Sequence, residues 1–247
     1  MARRDANVQS NVPRVTGNTP ITTSISHRGP PLNDEPSDSL RQALARHAVD
    51  VPDEALEPLD RYCRALWTWN EKLNLTRHTD YDRFVARDVV DSLALEPFLD
   101  SGAAVLDVGT GGGVPGVVLS IVRPDLEVTL CDSVAKKAKA VQAIVDEAQL
   151  AVPVVHGPAQ QIVQDADFDV LVARAVAPLP KLLRWFAPVW DRFDRLLVIK
   201  GPGWVEERAA ARDAGLLRRV DLRKLASYPL PGTESESVVL SLRAKQG

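Results

Sequence analysis

With 247 residues, 45% of them apolar and 26% charged, and a formal net charge of −3, the chain has the make-up of a soluble α/β protein with one sizeable core. That balance excludes a histone-like polycation, so a nucleic-acid partner would have to meet a local basic patch. The two cysteines, Cys63 and Cys131, lack paired spacing and no apolar run approaches the roughly 18 residues of a membrane span. A zinc knuckle, a disulfide scaffold and a membrane anchor are thereby excluded, and a cytoplasmic protein is expected.

Residues 1–36 are rich in Arg, Asn, Ser, Thr and Pro without helical or strand periodicity, which predicts a disordered tail. From Ser37 the pattern changes. Ser37 or Asp38 can cap a short helix, and Leu56, Leu59, Tyr62, Leu66, Trp69 and Leu73 recur at spacings of three and four, which predicts a helix with a buried face that includes Trp69. A second helical stretch near Tyr81 to Leu99 turns Phe84, Val85, Val89, Leu93 and Phe98 toward a core before Ser101-Gly102 punctuates the chain. Residues 37–101 are therefore expected to form a helical cap ahead of a main domain over 102–247.

In that main domain short apolar runs alternate with helical patterns. Ala104 to Val108, Val128 to Cys131, Val152 to Val155, Val170 to Ala173 and Leu196 to Ile199 read as buried strands of a mostly parallel sheet, with helices on both faces. Val220 to Leu225 and Val238 to Leu242, joined by the turn-rich Tyr228-Pro-Leu-Pro-Gly232, read as an antiparallel pair at one edge.

The chemistry concentrates where the first of these strands ends. Asp107-Val-Gly-Thr-Gly-Gly-Gly113 passes through three spaced glycines into a helix, with Pro115 suited to its first turn, so that the backbone can turn tightly and approach a ligand. Gly111, Gly113 and Gly116 also satisfy the dinucleotide spacing, and Asp132 lies 21 residues after Gly111, where a ribose-binding carboxylate belongs. The glycines alone fit NAD and S-adenosylmethionine (AdoMet) equally. Asp107 separates the two, because a carboxylate at the loop mouth repels a pyrophosphate and attracts the sulfonium and ammonium groups of AdoMet. A purely structural alternative has Asp107 capping the loop amides and Asp132 capping the next helix. Arg174, directly after an apolar strand, stands where the carboxyl ends of an open α/β sheet face a ligand crevice.

Beyond the loop, an ordered set of motifs resembles the bacterial small-subunit ribosomal RNA guanine-N7 methyltransferases of the RsmG (GidB) family. The set comprises Trp69-Asn-Glu-Lys-Leu-Asn-Leu-Thr76, Asp91-Ser-Leu93, Leu106 to Gly116, Ile121-Val-Arg-Pro124, Asp132-Ser133 with Lys136, Phe168-Asp169 with Arg174-Ala175, and Lys200-Gly201. The resemblance implies a class I AdoMet-dependent methyltransferase: a Rossmann-like, mostly parallel seven-stranded sheet with a helical N-terminal extension, acting on N7 of one guanine in 16S ribosomal RNA. It implies that Gly109, Val114, Ala159, Gln160 and Arg174 line the AdoMet site, with Asn74 and Lys200 as candidate substrate contacts.

The sequence departs from the family's pattern in places. Asp88 stands where a histidine usually follows the Arg87 position, Pro158 and Gln160 replace an Arg and a Glu, and Val118 replaces a frequent proline. Thr233-Glu-Ser-Glu-Ser237 replaces a more basic stretch.

Guanine N7 carries an available lone pair, so no general base is needed, and the lack of an obvious catalytic constellation agrees with the chemistry. Candidates for RNA phosphate contact are Arg77, Arg83, Arg87, Lys136, Lys137 and Lys139. For the three lysines a solvated helix face is the competing reading, since Val134, Ala138, Val141, Val145 and Ala148 form the buried stripe of that helix. His78 and His156 stand without ligand spacing, so no metal is expected. The expected partner is the small-subunit RNA or its particle, met by a monomer. Two other readings compete: a diverged methyltransferase acting on another substrate or only binding RNA, and an NAD(P)-dependent oxidoreductase using Gly111, Gly113 and Gly116.

Overall fold

A computed structural model describes residues 37–230 and 234–245. The expected tail over 1–36 and most of the turn after Leu230 lie outside the described residues. Helix α1 (Leu40–Arg46) is capped by Ser39, whose side chain accepts from the Gln42 N–H. Neither Ser37 nor Asp38 is the cap; Ser37 donates its N–H and hydroxyl to Asp82 at 2.7 and 2.9 Å.

Helix α2 (Asp53–Leu73) carries the expected stripe and buries Leu59, Tyr62 and Leu66 completely, adding Ala55 and Cys63 between them. Each such aliphatic or aromatic burial contributes about 1.5–3 kcal/mol. Trp69 is a correction: it is only half-buried, and its indole N–H donates to Glu147 at 2.9 Å. That tether joins α2 to the helix of Glu147, and it explains why a tryptophan with a polar edge sits at the rim of the stripe.

The second stretch is not one regular helix. Asp80 caps α3 (Tyr81–Arg83), a single π-helical turn spans Phe84–Val89, α4 covers Val90–Leu93, and a 3-10 turn follows at Glu96–Phe98. Phe84, Val85 and Val89 are fully buried as expected, whereas Leu93 and Phe98 are partly buried. Asp88, four residues after Phe84 and three after Val85, is turned inward with them.

The remaining elements alternate strand and helix up to a closing pair of strands: β1 (Ala104–Val108), α5 (Gly116–Val122), β2 (Glu127–Asp132), α6 (Ala135–Glu147), β3 (Val154–His156), α7 (Ala159–Asp165), β4 (Val170–Arg174), α8 (Leu179–Phe186), β5 (Arg195–Lys200), α9 (Trp204–Asp213), β6 (Val220–Pro229) and β7 (Glu236–Ala244). They form one seven-stranded sheet in the order β3-β2-β1-β4-β5-β7-β6. The first five strands pair in parallel, and β7 is antiparallel to both β5 and β6.

The expected edge pair is present, with β6 longer than its apolar run and bulged between Lys224 and Ala226. Strand β3 begins at Val154 rather than Val152, and Val155 is 36% exposed because this short strand is an edge. Val134 is another correction: it is the N-cap residue of α6, outside the helix proper, and 41% exposed.

Two apolar layers flank the sheet. On one face α1, α2 and the π turn share a continuous core with α5 and α6; on the other α7, α8 and α9 enclose Leu182, Phe186 and Leu196. The chain order reverses between β1 and β4, so the crevice at the carboxyl ends of these strands is the natural ligand site of such a sheet.

Candidate functional site

Strand β1 delivers Asp107 to the base of the glycine loop. The residue is 0% exposed; Oδ2 accepts from the Thr110 hydroxyl at 2.6 Å and the Gly116 N–H at 2.8 Å, and Oδ1 is buried with no hydrogen-bond partner among the described residues. This corrects the placement of that carboxylate at the loop mouth. A central parallel strand is covered on both faces, so its alternation does not reveal which way a side chain points.

Asp132, at the end of β2, accepts from the Gly111 N–H at 3.2 Å and the Val134 N–H at 2.8 Å. The structural alternative is met in altered form: Asp132 takes the loop amide, and Asp107 takes the first N–H of α5, while α6 has no side-chain cap. A carboxylate has about four lone-pair sites, so Asp132 keeps capacity for further donors.

The loop is gripped from the cap. Tyr62 donates its hydroxyl to the Gly112 carbonyl at 2.9 Å, and Gly113 has φ +109, where a Cβ would lie 2.9 Å from that same hydroxyl oxygen. Only glycine fits there. Leu75 leans on Gly112, and so Asn74 is carried close to the loop, where it ends α2 with φ +44 as an exposed left-handed cap. Val114 is buried in the loop's exit. The β2–β3 register sets His156 beside Asp132, which puts Ala159 and Gln160, the first residues of α7, on the Asp132 side of the loop. Ala159 is buried and Gln160 half-buried.

On the other side lies a buried charge network. Arg174, the last residue of β4, places one guanidinium nitrogen 2.6 Å from Asp88 Oδ1 and another 3.0 Å from Asp91 Oδ2. Asp88 Oδ1 is also 2.8 Å from His78 Nδ1, and Tyr228 donates its hydroxyl to Asp91 Oδ1 at 2.7 Å. Asp88 and Asp91 are 0% and 1% exposed. Asp88, one of the departures from the family's pattern, thus has His78 and Arg174 as its partners. Burial, together with Asp91, pushes the Tyr228 phenol well up, so it stays a donor. Burial likewise pushes the Cys131 thiol up to about 12, which leaves it inert.

Next to this network a cavity of about 500 Å³ opens beyond the ends of β4 and β5, lined by His78, Arg87, Arg174, Lys200, Glu207 and Ser237 among others. Lys200 donates to the Ala177 carbonyl at 2.6 Å and pairs with Glu207 at 2.8 Å, which leaves one of its three N–H groups uncommitted. Glu207 in turn accepts from the Leu179 N–H at 2.7 Å, tying the strand-end loop to α9. The structure thus brings Arg87, Arg174 and Lys200 together. Arg77 and Lys136 are exposed elsewhere and do not line the cavity.

Burial raises the Asp107 carboxyl to about 6, against the lowering effect of the Thr110 and Gly116 hydrogen bonds. A raised folded value means that folding favours the acid form. That contribution is fully present below the unfolded value of about 4 and is lost as the pH rises through about 6. Asp107→Asn, neutral at every pH, is expected to gain on the parent by on the order of 3 kcal/mol between pH 4 and pH 7. Denaturant titrations at several pH values check this, and a difference independent of pH would contradict it.

Comparison with known proteins agrees with this geometry. The family described as rRNA small subunit methyltransferase G (GidB) matches residues 55–228. The Ribosomal RNA small subunit methyltransferase G of Rhodopirellula baltica is 43% identical over 197 residues, covering 80% of this chain and 85% of that protein. Its counterpart in an Anaeromyxobacter species is 37% identical over 216 residues, covering 84% and 97%. The chain belongs to the GidB family.

A crystal structure of MtNAS in complex with MTA and tNA shares the fold with a TM-score of 0.51 at 16% identity, covering 77% of this chain and 73% of that one. The GidB chain thus has the class I, Rossmann-like sheet expected from its motifs. Among the described residues no helix is long and apolar enough to cross a membrane, and no His, Cys, Asp or Glu cluster could hold a metal ion.

Sequence reasoning missed Tyr62 as a loop clamp, because it read as one more member of an apolar stripe. It also missed Asp91, Tyr228 and Glu207. Only the inward register of Asp88 and Asp91, in a stretch otherwise apolar on that face, carried a signal.

Proposed function

We propose that the glycine loop holds AdoMet and that the cavity beyond β4 and β5 receives a guanine of small-subunit ribosomal RNA, which is methylated at N7. One observation carries the choice of cofactor. The Gly111 N–H and the Gly116 N–H at the start of α5 are the donors that a pyrophosphate would need, and here they are taken by Asp132 and Asp107. A loop whose amides are filled by carboxylates disfavours NAD(P) and suits a phosphate-free cation. Family membership supplies the RNA.

In this reading Asp132 accepts the ribose hydroxyls with its remaining lone pairs. Gly109, Gly111 and Val114 shape the loop around the methionine end, and Ala159 and Gln160 border the adenine. Arg174, fixed by Asp88 and Asp91, forms the wall between cofactor and base. Asn74 and Lys200 touch the substrate, Arg87 meets a phosphate at the cavity, and Arg77 and Lys136, exposed away from it, meet phosphates farther along the RNA. The setting is the bacterial cytoplasm, and the protein acts as a monomer.

When bound, AdoMet would supply an electrophilic methyl to the free lone pair of guanine N7, the sulfur–methyl bond breaking to leave S-adenosylhomocysteine, so that no proton would have to be moved. What the residues contribute is in-line geometry, and proximity of this kind is worth about 7–11 kcal/mol. The free N–H of Lys200 suits O6, the acceptor adjacent to N7 on the same edge of the base. Lys200→Met is expected to lower kcat/KM about 100-fold while AdoMet affinity by calorimetry stays within a few-fold, as for loss of one preorganised donor.

The reading itself is tested by transfer of labelled methyl groups to small-subunit particles lacking the modification, with reduction and aniline cleavage to locate N7-methylguanine. A single new cleavage in 16S RNA is expected. AdoMet binding without any transfer to RNA would overturn it in favour of another substrate.

A further inference from the structure

We infer that the flank of α9 that carries Trp204, Arg208 and Arg212, together with the hollow at its far end, is a docking track for the phosphate backbone of the RNA substrate. This rests on the reading that RNA is the substrate. In a protein of net charge −3, residues 208–219 hold Arg208, Arg212, Arg218 and Arg219 against the single acid Asp213. None of the four arginines makes an ion pair among the described residues, in contrast to Arg195, Arg223 and Arg243 on the neighbouring strands, which are each paired with aspartates.

Trp204, Arg208 and Arg212 follow one another at helical spacing of four, so they share one face of α9, and the Arg208 guanidinium stands 6.0 Å over the Trp204 ring. Arg208 and Arg212 then meet Arg218 and Lys245 around a hollow of about 340 Å³. The one carboxylate there, Asp221, is held by Arg223 at 2.6 Å. Four cations around a concave surface with no free counter-ion make an anion site, and guanidinium forks match phosphate oxygens.

Its place in the fold gives the direction. Helix α9 starts four residues after Lys200, at the rim of the proposed base cavity. The register pairs Lys200 with Val238 at one end of β7 and Val220 with Ala244 at the other, so the hollow lies at the opposite end of the sheet. Ten residues of helix cover about 15 Å, the rise of roughly four stacked nucleotides. A strand entering the cavity can therefore run along α9 with Trp204 nearest the reacting base, and Arg208 leading it into the hollow. None of the basic residues singled out from the sequence lies on this face.

The test is the triple variant Arg208→Gln, Arg212→Gln and Arg218→Gln in the full chain. These positions are half-buried or exposed and glutamine has similar helix propensity. Methyl transfer to protein-free 16S transcript and to the small-subunit particle is followed across a salt series. The expected result with both substrates is a KM raised at least tenfold near 0.15 M salt, with kcat and AdoMet affinity unchanged. The slope of log kcat/KM against log salt should become shallower by about 2, as for three lost single-strand phosphate contacts.

An unchanged KM and salt slope would overturn the inference. An effect confined to the particle and absent with naked transcript would also overturn it, by assigning the face to a ribosomal protein. Failure of the underlying reading shows separately, as absence of transfer by the unaltered protein.

Discussion

Replacing Arg174 with methionine is expected to destabilise the protein by about 3–5 kcal/mol and to abolish methyl transfer. The side chain is the only cation that directly contacts both Asp88 and Asp91 within 3.0 Å among the described residues, and those carboxylates are 0% and 1% exposed. Methionine fills much of the same volume, so the loss is electrostatic rather than a cavity effect. Removing one member of a buried pair leaves an uncompensated charge in a medium that solvates it poorly, which is why the cost exceeds that of removing the whole set. Against a total stability of about 5–15 kcal/mol this is a large fraction.

The same reasoning makes the rescue specific. Adding Asp88→Asn and Asp91→Asn to the methionine variant neutralises what was stranded, and the new amide oxygen at position 91 can still accept from Tyr228, so most of the stability should return without activity. Urea unfolding midpoints at constant slope measure both steps. A loss under about 1 kcal/mol for the single variant, or no recovery in the triple, would mean that water already solvates the network.

That network also marks the limit of what the sequence discloses. The strands and the glycine loop were legible because their signals are local: short apolar runs, period breaks, and glycines whose spacing alone permits the turn. Asp88 and Arg174 are 86 positions apart, and Tyr228 and Asp91 are 137 apart. No periodicity links residues at such distances: a count of threes and fours turns Asp88 inward with Phe84 and Val85, yet it does not disclose the partner that Asp88 meets there. The motif resemblance pointed to Arg174, Asn74 and Lys200, yet it could not say that Arg174 is held by two buried acids or that Asn74 sits at a left-handed cap.

The error over Asp107 has a physical cause as well: a residue near the carboxyl end of a central strand can face the crevice or the helix layer, and only the path of α5 decides. Val134 was misplaced because a stripe extended by arithmetic runs one step past the helix start.

Gly116→Ala is expected to be the most damaging single methyl group in the glycine loop. A Cβ there would run into Leu130, would stand 2.7 Å from Asp107 Oδ2 and would stand 2.8 Å from Asp107 Cβ. Leu130 and Asp107 are fully buried on β2 and β1, so neither can swing away, and α5 must retreat from the sheet. Overpacking of this kind costs about 1–3 kcal/mol. Retreat also stretches the 2.8 Å bond from the Gly116 N–H to Asp107, the contact that holds the helix start against the loop base.

Asp107 would then lose one of the two donors that let a fully buried carboxylate ionise near neutral pH, so AdoMet affinity should fall at least 100-fold beyond the loss of stability. Gly201, where an added methyl would meet no atom within 4 Å, is the matched control, and its alanine variant should unfold within about 0.5 kcal/mol of the parent. Calorimetry with AdoMet at a temperature where both variants are folded separates the two effects. Retained affinity in Gly116→Ala would show that the loop binds its ligand without the close approach of α5, and would detach the cofactor site from the carboxylate beneath it.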